Sequence, residues 1–406
     1  MKNFLKNHIS EMVIFFVFTL FFVGELVNNR FQLNDFLVYY SAADQFVQGQ
    51  DIYGISFGLA SGFYKYSPVV VFFFIPFTFL SFKVAAVIYY FLTVFVIILL
   101  FRNLCQLLDK FFFSFRQKTA VIIACLALLT TANHFLRELH LGNINALLLL
   151  GVLNVILLSF NNRKIAAGIL LGLCILFKPH FLILAPLFLL RKEFKLLTSF
   201  AVTGVVGLFL PAVFVGFSKN GQLLAEWVQT ITSHNAPCSL YPNNISCWLQ
   251  NIFSLGNISL PEKVVSLAVL AICAVLFFIF WIKNSKTEKR NTQLRNQHFL
   301  IEYFLLIACI PNLTKTDTEH FLFSLPIILF LFGLLFIRKH SIWVVFVIVL
   351  GFVAYGGNWY DLIGRQFSSF WNTWGFVGVG NWILIIATIV FSQKLKTFEK
   401  KTGSAI

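Results

Sequence analysis

Long apolar runs separated by short polar segments follow one another along almost the whole chain. Most of these runs approach the roughly 20 residues that an α-helix needs to cross a bilayer, and their repetition predicts a polytopic helical membrane protein. The polar segments are of two kinds: some are short and rich in Lys and Arg, and others are longer and contain more Asn, Asp and aromatic residues. We therefore predict an all-α membrane fold with two chemically different faces.

The basic segments set the predicted topology, because cytoplasmic loops carry an excess of Lys and Arg. Placing every basic cluster inside gives twelve spans with both termini in the cytoplasm. The predicted spans cover about 12–28, 84–101, 119–136, 145–160, 165–178, 180–190, 196–217, 262–282, 299–312, 320–337, 341–356 and 374–392. The segment 66–83 is apolar but short and contains two prolines, so we predict that it is juxtamembrane or re-entrant.

This topology sends the longer polar segments to the outer face. The largest are a first outer loop at 29–83, with juxtamembrane segments, and a second at 218–261. The predicted cytoplasmic loops are short and basic, which leaves little room for a site. We therefore predict one transmembrane domain over 1–406, without a separate soluble domain and with any active site on the outer face.

Composition agrees with a membrane location. Of the 406 residues, 59% are hydrophobic and only 12% are charged, whereas about a quarter are charged in a typical soluble protein. The net charge of +15 comes mainly from the predicted cytoplasmic loops, so it is a topology signal. We predict contact with membrane lipids and no nucleic-acid partner.

Seven cysteines are present, without the paired spacing of a zinc site. Most lie inside apolar runs, where a thiol packs as a small apolar group. Cys238 and Cys247 share one predicted outer loop. A disulfide between them would require that this loop faces an oxidising compartment, and the sequence leaves the pairing open.

Short motifs occur in a fixed order along the predicted outer face. They are DFLVYY from Asp35, Tyr66-Ser67-Pro68, LRELHLGNIN (136–145), AAGILLGLCILFKPHFLIL (166–184) and TDTEHFLFSLP (316–326). In type and order these motifs resemble those of the GT-C glycosyltransferases, and more narrowly those of glycosyltransferase family 87. The resemblance extends over most of the chain.

The resemblance implies a GT-C-like helical bundle and an inverting hexosyltransferase. Its implied donor is a polyprenyl-phosphate sugar, with mannose as the expected hexose. Its implied acceptor is a lipid-linked or envelope glycan on the extracytoplasmic side of a bacterial cytoplasmic membrane. No cofactor is expected, and metal dependence is not expected either.

Asp35 is the candidate catalytic base. An acceptor hydroxyl that attacks an anomeric carbon must lose its proton, and a carboxylate at the membrane surface can accept it. Asp35 lies just after the first span and matches the family's catalytic position; a solvated or helix-capping Asp is the alternative. Asp44 and Asp51 lack this match, and we expect structural roles for them.

The departing phosphate needs cationic or hydrogen-bonding partners. Lys178 interrupts an apolar run before Pro179, and it either contacts phosphate or extends to the membrane surface. Arg137 is a second candidate, or half of an ion pair with Glu138. His320 resembles a His that the family carries towards the end of its sequence, and it is a third candidate. The alternative is a His at a helix end that is hydrogen-bonded to the backbone.

Tyr66, Asn143 and Asn145 are further substrate-binding candidates by resemblance. Two departures weaken the match: Ser67 stands where the family pattern has Pro, and Asn143 stands where Gln is common. Asn keeps the amide group but reaches less far than Gln. His140 and His180 are weaker candidates, which we interpret as interfacial spacers.

Other functional classes are less well supported. The chain has no Gly-rich phosphate loop and no nucleotide-binding fingerprint, which argues against a nucleotide-sugar enzyme. Asp35, His140 and His320 are residue types that bind metals, but they lack the close spacing of a metal site. A transporter or flippase of a lipid-linked glycan would place ionisable residues in mid-helix. A noncatalytic envelope assembly protein is the remaining alternative.

Overall fold

The computed structural model describes residues 9–58, 62–232, 237–258, 260–288, 291–337 and 339–393. Within these ranges the chain is helical, apart from loops and one isolated β-bridge. The helices of the first half are α1 (Ile9–Val27), α2 (Asn34–Val47), α3 (Val71–Thr78), α4 (Phe82–Phe111), α5 (Gln117–Leu141), α6 (Asn145–Phe160), α7 (Lys164–Phe177), α8 (Ala185–Leu190) and α9 (Phe194–Phe209).

The second half of the described chain continues in the same way. Its helices are α10 (Ala212–Val215), α11 (Phe217–Thr232), α12 (Ile245–Leu255), α13 (Glu262–Thr287), α14 (Thr292–Leu313), α15 (Leu325–Ile337), α16 (Ile342–Gly356), α17 (Tyr360–Thr373) and α18 (Phe376–Ser392). Short 3₁₀ turns lie at Pro68–Val70, Pro179–Leu184, Cys238–Leu240 and Thr318–Ser324.

The predicted helices are present, because each of the twelve predicted spans overlaps helical structure. Among the described residues, six helical segments are long and apolar enough to cross a membrane. They are Ile9–Val27, Phe82–Phe111, Gln117–Leu141, Phe194–Val215, Glu262–Thr287 and Thr318–Ile337. A bent pair, Leu362–Thr373 with Phe376–Ser392, would make a seventh.

The number of membrane crossings depends on the shorter helices. The apolar helices α6, α7 and α16 have 16, 14 and 15 residues, which correspond to about 21–24 Å at 1.5 Å per residue. That length is less than the roughly 30 Å of a hydrocarbon core. Twelve crossings and a juxtamembrane position for 66–83 therefore stay predictions.

The described chain forms two compact units, each made of two stretches. Unit 1 contains 1–102 and 135–236, and unit 2 contains 103–134 and 237–406. The prediction of a single domain over 1–406 is not tested by this division and stays a prediction.

Unit 1 is held together by close helix contacts and buried aromatic rings. Helix α7 packs tightly on α9, since a Cβ at Gly168 would collide with the side chain of Ser199 and the backbone of Leu196. Gly168 is therefore a packing glycine that lets the two helices approach closely. Phe36 at the start of α2 stacks on Tyr89 of α4, with ring centroids 4.2 Å apart.

Unit 2 contains a buried chain of asparagines. The Asn381 side chain donates to Asn312 Oδ1 at 2.5 Å, and Asn312 donates in turn to the carbonyls of Asn243 (3.2 Å) and Gly378 (3.0 Å). These bonds link α14, α18 and the loop before α12. In the same loop region, Cys238 and Cys247 are joined in a disulfide, a pairing that the sequence left open.

Candidate active site around Asp35

Asp35 lies in the first turn of α2, where a carboxylate is stabilised by the helix dipole. It is partly buried, between the fully buried residues Leu33 and Phe36. Leu33, which precedes the helix, has a left-handed backbone with φ +43°. A non-glycine residue in this conformation is uncommon and is often found at functional sites. The chain therefore enters α2 through a specific, strained turn that fixes the position of Asp35.

Asn143 holds the Asp35 carboxylate. Its Nδ2 donates to Asp35 Oδ2 at 2.6 Å. The other end of the same amide, Oδ1, accepts from the backbone N–H of Ile144 at 2.7 Å. Since a backbone N–H can only donate, it fixes which end of the amide faces the carboxylate. Asn143 is therefore oriented to favour the ionised form of Asp35.

Gly142 brings Asn143 to Asp35. Helix α5 ends there in a turn in which Gly142 has φ +66° and the Asn143 N–H donates to the carbonyl of Glu138 at 3.0 Å. This is the bonding of a Schellman helix end, which favours glycine. A Cβ on Gly142 would lie 2.9 Å from Phe36 Cβ and 3.0 Å from Leu33 Cβ. The end of α5 can thus contact the start of α2 only because residue 142 is glycine.

A second polar network follows directly in the sequence. Asn145 Nδ2 donates to Glu138 Oε2 at 2.9 Å, and Lys178 Nζ donates to Asn145 Oδ1 at 2.5 Å. Glu138 Oε1 accepts from the backbone N–H of Ala146 at 2.8 Å. Asn145 therefore bridges an anionic and a cationic side chain at the junction of α5, α6 and α7.

This network supplies the hydrogen-bonding partner that a buried lysine needs. Lys178 is 7% exposed, and Glu138 and Asn145 are fully buried. Buried charges are tolerated when they are paired and hydrogen-bonded. Lys178 also caps the carboxyl end of α7, where a cation is stabilised by the helix dipole. The predicted contact of Lys178 with phosphate stays a prediction.

Tyr66 belongs to a cluster of buried tyrosines in unit 1. Its hydroxyl lies 2.8 Å from that of Tyr39, and its carbonyl accepts from the Tyr53 hydroxyl at 2.6 Å. Burial raises the pKa of Tyr39 well above its usual value, with smaller contributions from Tyr66 and Asp35. Tyr39 is thus a neutral phenol that lies within electrostatic range of Asp35.

The Tyr-Ser-Pro motif also contacts the Lys-Pro motif. The Ser67 hydroxyl donates to the carbonyl of Leu176 at 2.7 Å, in the last turn of α7 before Lys178. The rings of Tyr66 and Phe177 are 6.1 Å apart. Ser67, a departure from the family pattern, thus satisfies a carbonyl at the end of a helix.

Asp44 and Asp51 each contact a polar side chain within unit 1, and the structural roles predicted for them stay predictions. Asp44 Oδ2 accepts from Gln48 Nε2, one turn later and just past the end of α2, at 2.9 Å. Asp51 lies on the surface and accepts a hydrogen bond from Lys219 Nζ at 2.6 Å, and this bond raises the pKa of Lys219.

The remaining sequence candidates lie elsewhere. Arg137 is an exposed residue of α5, whereas the neighbouring Glu138 points into the buried network. His320 belongs to unit 2, in the 3₁₀ turn before α15, with Nδ1 3.5 Å from Glu319 Oε1. In the same unit, burial raises the pKa of Tyr241, and Asp317 and Glu319 raise it further. The predicted contact of His320 with the donor phosphate stays a prediction.

Sequence reasoning missed two members of this site. Glu138 was considered only as a partner for Arg137, although a carboxylate seven residues before Asn145 can reach the start of the next helix. Gly142 was read only as part of a motif. Its position just after an apolar helix is the usual sequence signal for a left-handed helix end.

The fold and the site define a class. The protein is an integral membrane protein in which the Asp35 carboxylate is hydrogen-bonded by Asn143 where α2 and α5 meet. Comparison with known families makes the class specific, because the sequence pattern of Glycosyltransferase family 87 matches residues 63–308. This range covers more than half of the chain and includes Glu138, Asn143, Asn145 and Lys178. The chain therefore belongs to glycosyltransferase family 87.

One curated relative shares part of the chain. It is an alpha-(1->3)-arabinofuranosyltransferase from Corynebacterium glutamicum, 28% identical over 195 residues. The match covers 48% of this chain and 43% of that protein, so the chain spans less than half of the relative's length. Family and relative together support a membrane glycosyltransferase. Asp35 and His320 lie outside the family match.

Proposed function

We propose that the protein transfers a sugar from a polyprenyl-phosphate donor to a lipid-linked or envelope glycan acceptor, with Asp35 as the general base. The observation that carries this proposal is the Asp35–Asn143 hydrogen bond of 2.6 Å in the first turn of α2. It orients a partly exposed carboxylate at the start of the helix that follows the long apolar helix α1. Membership of glycosyltransferase family 87 supplies the reaction class.

The chemistry is a single displacement at the anomeric carbon. The acceptor oxygen forms a bond to C1 as the bond between C1 and the phosphate oxygen breaks. The acceptor proton moves to Asp35, and the polyprenyl phosphate departs with the bonding electron pair. Attack opposite the leaving group inverts the configuration at C1, and one carboxylate is sufficient for the step.

Asn143 has a positioning role in this reaction. It occupies Asp35 Oδ2, and its own orientation is fixed by the backbone N–H of Ile144. A hydrogen bond to the charged form keeps a carboxylate ionised and ready to accept a proton. The proposal keeps Lys178 and His320 as candidate phosphate ligands, and Tyr66 and Asn145 as candidate substrate contacts.

The reaction is proposed to occur on the extracytoplasmic face of a bacterial cytoplasmic membrane, with both termini inside. The Cys238–Cys247 disulfide supports an oxidising surrounding for the loop that carries it. No cofactor is included in the proposal. Transfer is expected to continue in the presence of a chelator.

Mannose remains the predicted sugar, by resemblance to family members that use polyprenyl-phosphate mannose. The curated relative acts as an arabinofuranosyltransferase, which makes an arabinofuranosyl donor the second one to test. Both donors share the lipid phosphate leaving group, so the proposed chemistry at Asp35 is the same for either.

A donor panel tests the proposal. Purified full-length protein in lipid nanodiscs is given polyprenyl-phosphate mannose, glucose or arabinofuranose, or the corresponding nucleotide sugars, together with a lipid extract as acceptor. We expect release of polyprenyl phosphate and a new glycolipid from one lipid-linked donor, with and without EDTA. Transfer from nucleotide sugars alone would refute the proposal. Movement of the lipid-linked sugar across the bilayer without transfer would favour the flippase alternative.

A further inference from the structure

A cleft of about 600 Å³ lies in unit 1 where α1 and α5 end. It is lined by Phe21, Glu25, Arg30, Gln32, Leu136, Arg137 and His140. Both helices are among the segments long and apolar enough to cross a membrane. The cleft therefore lies where two apolar helices meet a polar surface.

The end of α1 is shaped to place Arg30 at this cleft. Asn29 has φ +55°, the N–H of Asn29 donates to the Leu26 carbonyl at 3.1 Å, and that of Arg30 donates to the Glu25 carbonyl at 2.8 Å. These two bonds form a Schellman motif, with Asn in the position that usually holds glycine. The chain thus reverses at the helix end and returns Arg30 over Glu25.

The charge of the cleft is positive. Arg30 and Arg137 are both exposed, and a guanidinium remains protonated in proteins. Among the described lining residues, the carboxylate of Glu25 is 2.5 Å from His140 Nδ1. The described lining therefore combines two guanidinium groups with one carboxylate and one imidazole.

The lining also has an apolar side. Phe21 lies one turn before Glu25 on α1, and Leu136 directly precedes Arg137 on α5. A cleft with two guanidinium groups beside apolar helix surface suits a ligand with a phosphate and a hydrocarbon chain. Arginine is the side chain whose fork of donors matches phosphate oxygens in pairs.

We infer that this cleft binds the phosphate group of a membrane lipid, with Arg30 and Arg137 as the phosphate ligands. The inference rests on the proposed function and adds to it the site that receives the lipid phosphate. Two lipids have this chemistry: the polyprenyl phosphate of the donor, and an anionic phospholipid.

The cleft is close to the proposed base. Gln32 of the cleft is three residues from Asp35, and His140 is three residues from Asn143. Three residues span at most about 11 Å between Cα atoms. The two segments that meet in the Asp35–Asn143 hydrogen bond therefore also line the cleft, and a phosphate held there would lie near the reacting sugar.

A binding experiment tests this inference without requiring transfer. Undecaprenyl phosphate, phosphatidylglycerol and inorganic phosphate are titrated into the purified full-length protein in detergent, and binding is followed by native mass spectrometry. We compare wild type with Arg30→Gln/Arg137→Gln, and with Arg365→Gln as a control that removes an exposed arginine from α17. Melting temperatures verify that each variant is folded.

We expect one lipid to bind the wild type, and its affinity to fall at least about tenfold in the double variant, since each lost hydrogen bond involves charged groups. Arg365→Gln should bind like wild type. If the double variant does not fold, the charge-retaining pair Arg30→Lys/Arg137→Lys is used, and it should weaken binding less.

The identity of the ligand distinguishes the two sources. Arginine-dependent binding of undecaprenyl phosphate assigns the cleft to the sugar carrier, and such binding of phosphatidylglycerol assigns it to a phospholipid. Undiminished binding in the double variant, or binding of inorganic phosphate alone, would overturn the inference. Asp35→Asn should bind the lipid normally even though its transfer rate falls by about 10²- to 10⁴-fold. A failure of the base assignment is thereby distinguished from a failure of the cleft assignment.

Discussion

Gly142→Ala is the substitution that most directly probes how the site is assembled. Gly142 ends α5 with φ +66°, and a Cβ there would lie 2.9 Å from Phe36 Cβ and 3.0 Å from Leu33 Cβ. Both neighbouring atoms are attached directly to the backbone at the start of α2. They cannot move away by a change of rotamer, so α5 and α2 must separate.

The magnitude follows from two contributions. A left-handed conformation costs a non-glycine residue about 1–2 kcal/mol. Carbon contacts below the usual 3.5–4.0 Å add an overpacking cost of about 1–3 kcal/mol. Gly142→Ala should therefore destabilise unit 1 by about 2–5 kcal/mol, and the displaced Asn143 should lower the transfer rate on the order of 10- to 100-fold.

Gly49→Ala is the matched control. Gly49 ends α2 in the same kind of turn, with φ +75° and the Gln50 N–H donating to the Gln45 carbonyl at 3.0 Å, but a Cβ there meets nothing within 4 Å. It should cost only the backbone contribution of about 1–2 kcal/mol and leave transfer near the wild-type rate. Unfolding by denaturant in detergent and a transfer assay measure the two effects.

The result that refutes this reasoning is equal behaviour of the two variants. If Gly142→Ala were no less stable than Gly49→Ala and retained the wild-type transfer rate, close contact between α5 and α2 would not position Asn143.

Further predictions concern the two polar networks and the disulfide. Asn143→Asp should move the acid limb of the pH–rate profile to higher pH, because adjacent carboxylates resist ionising together. An acid limb at the wild-type pH would show that residue 143 does not affect the ionisation of the base. Lys178→Met should cost about 3–5 kcal/mol by leaving buried Glu138 uncompensated, and adding Glu138→Gln should recover part of it in a denaturation-based double-mutant cycle. Purely additive losses would contradict the network. Intact-mass measurement should show that the protein gains two hydrogens on reduction. Cys238→Ser and Cys247→Ser should lower the melting temperature by the same amount, because each removes the same disulfide.

Sequence predicted the helices well because apolar length is a direct signal for them. All twelve predicted spans overlap helical structure, down to the short helix α6, predicted at 145–160 and found at Asn145–Phe160. Helical structure and membrane crossing are different properties, however. Charge placement alone gave the number twelve, and the short helices are too short for length to confirm it.

The site was only partly predictable. Asp35 was identified from its place after the first apolar run and from its motif, and Asn143 from resemblance alone. That these two side chains bond to each other depends on Gly142, whose positive φ and close approach to α2 are tertiary facts. No local pattern in the sequence states which helix end meets which.

Charges were the hardest features to assign. Lys178 was predicted to face either phosphate or the membrane surface, and the structure gives it a buried partner, Asn145, that also binds Glu138. Arg30 was not a candidate at all, since a lone arginine after a helix has no pattern. Its significance comes from the turn at Asn29, which returns it to a cleft shared with Arg137.

The measurement that tests the central claim most directly is single-turnover transfer by Asp35→Asn, with Asp44→Asn as the control. Asp44 lies on the same helix and is bonded to Gln48. With saturating polyprenyl-phosphate sugar and acceptor, Asp35→Asn should lose about 10²- to 10⁴-fold in rate, the usual contribution of a general base. Asp44→Asn should stay close to wild type. Full transfer by a folded Asp35→Asn protein would contradict the account.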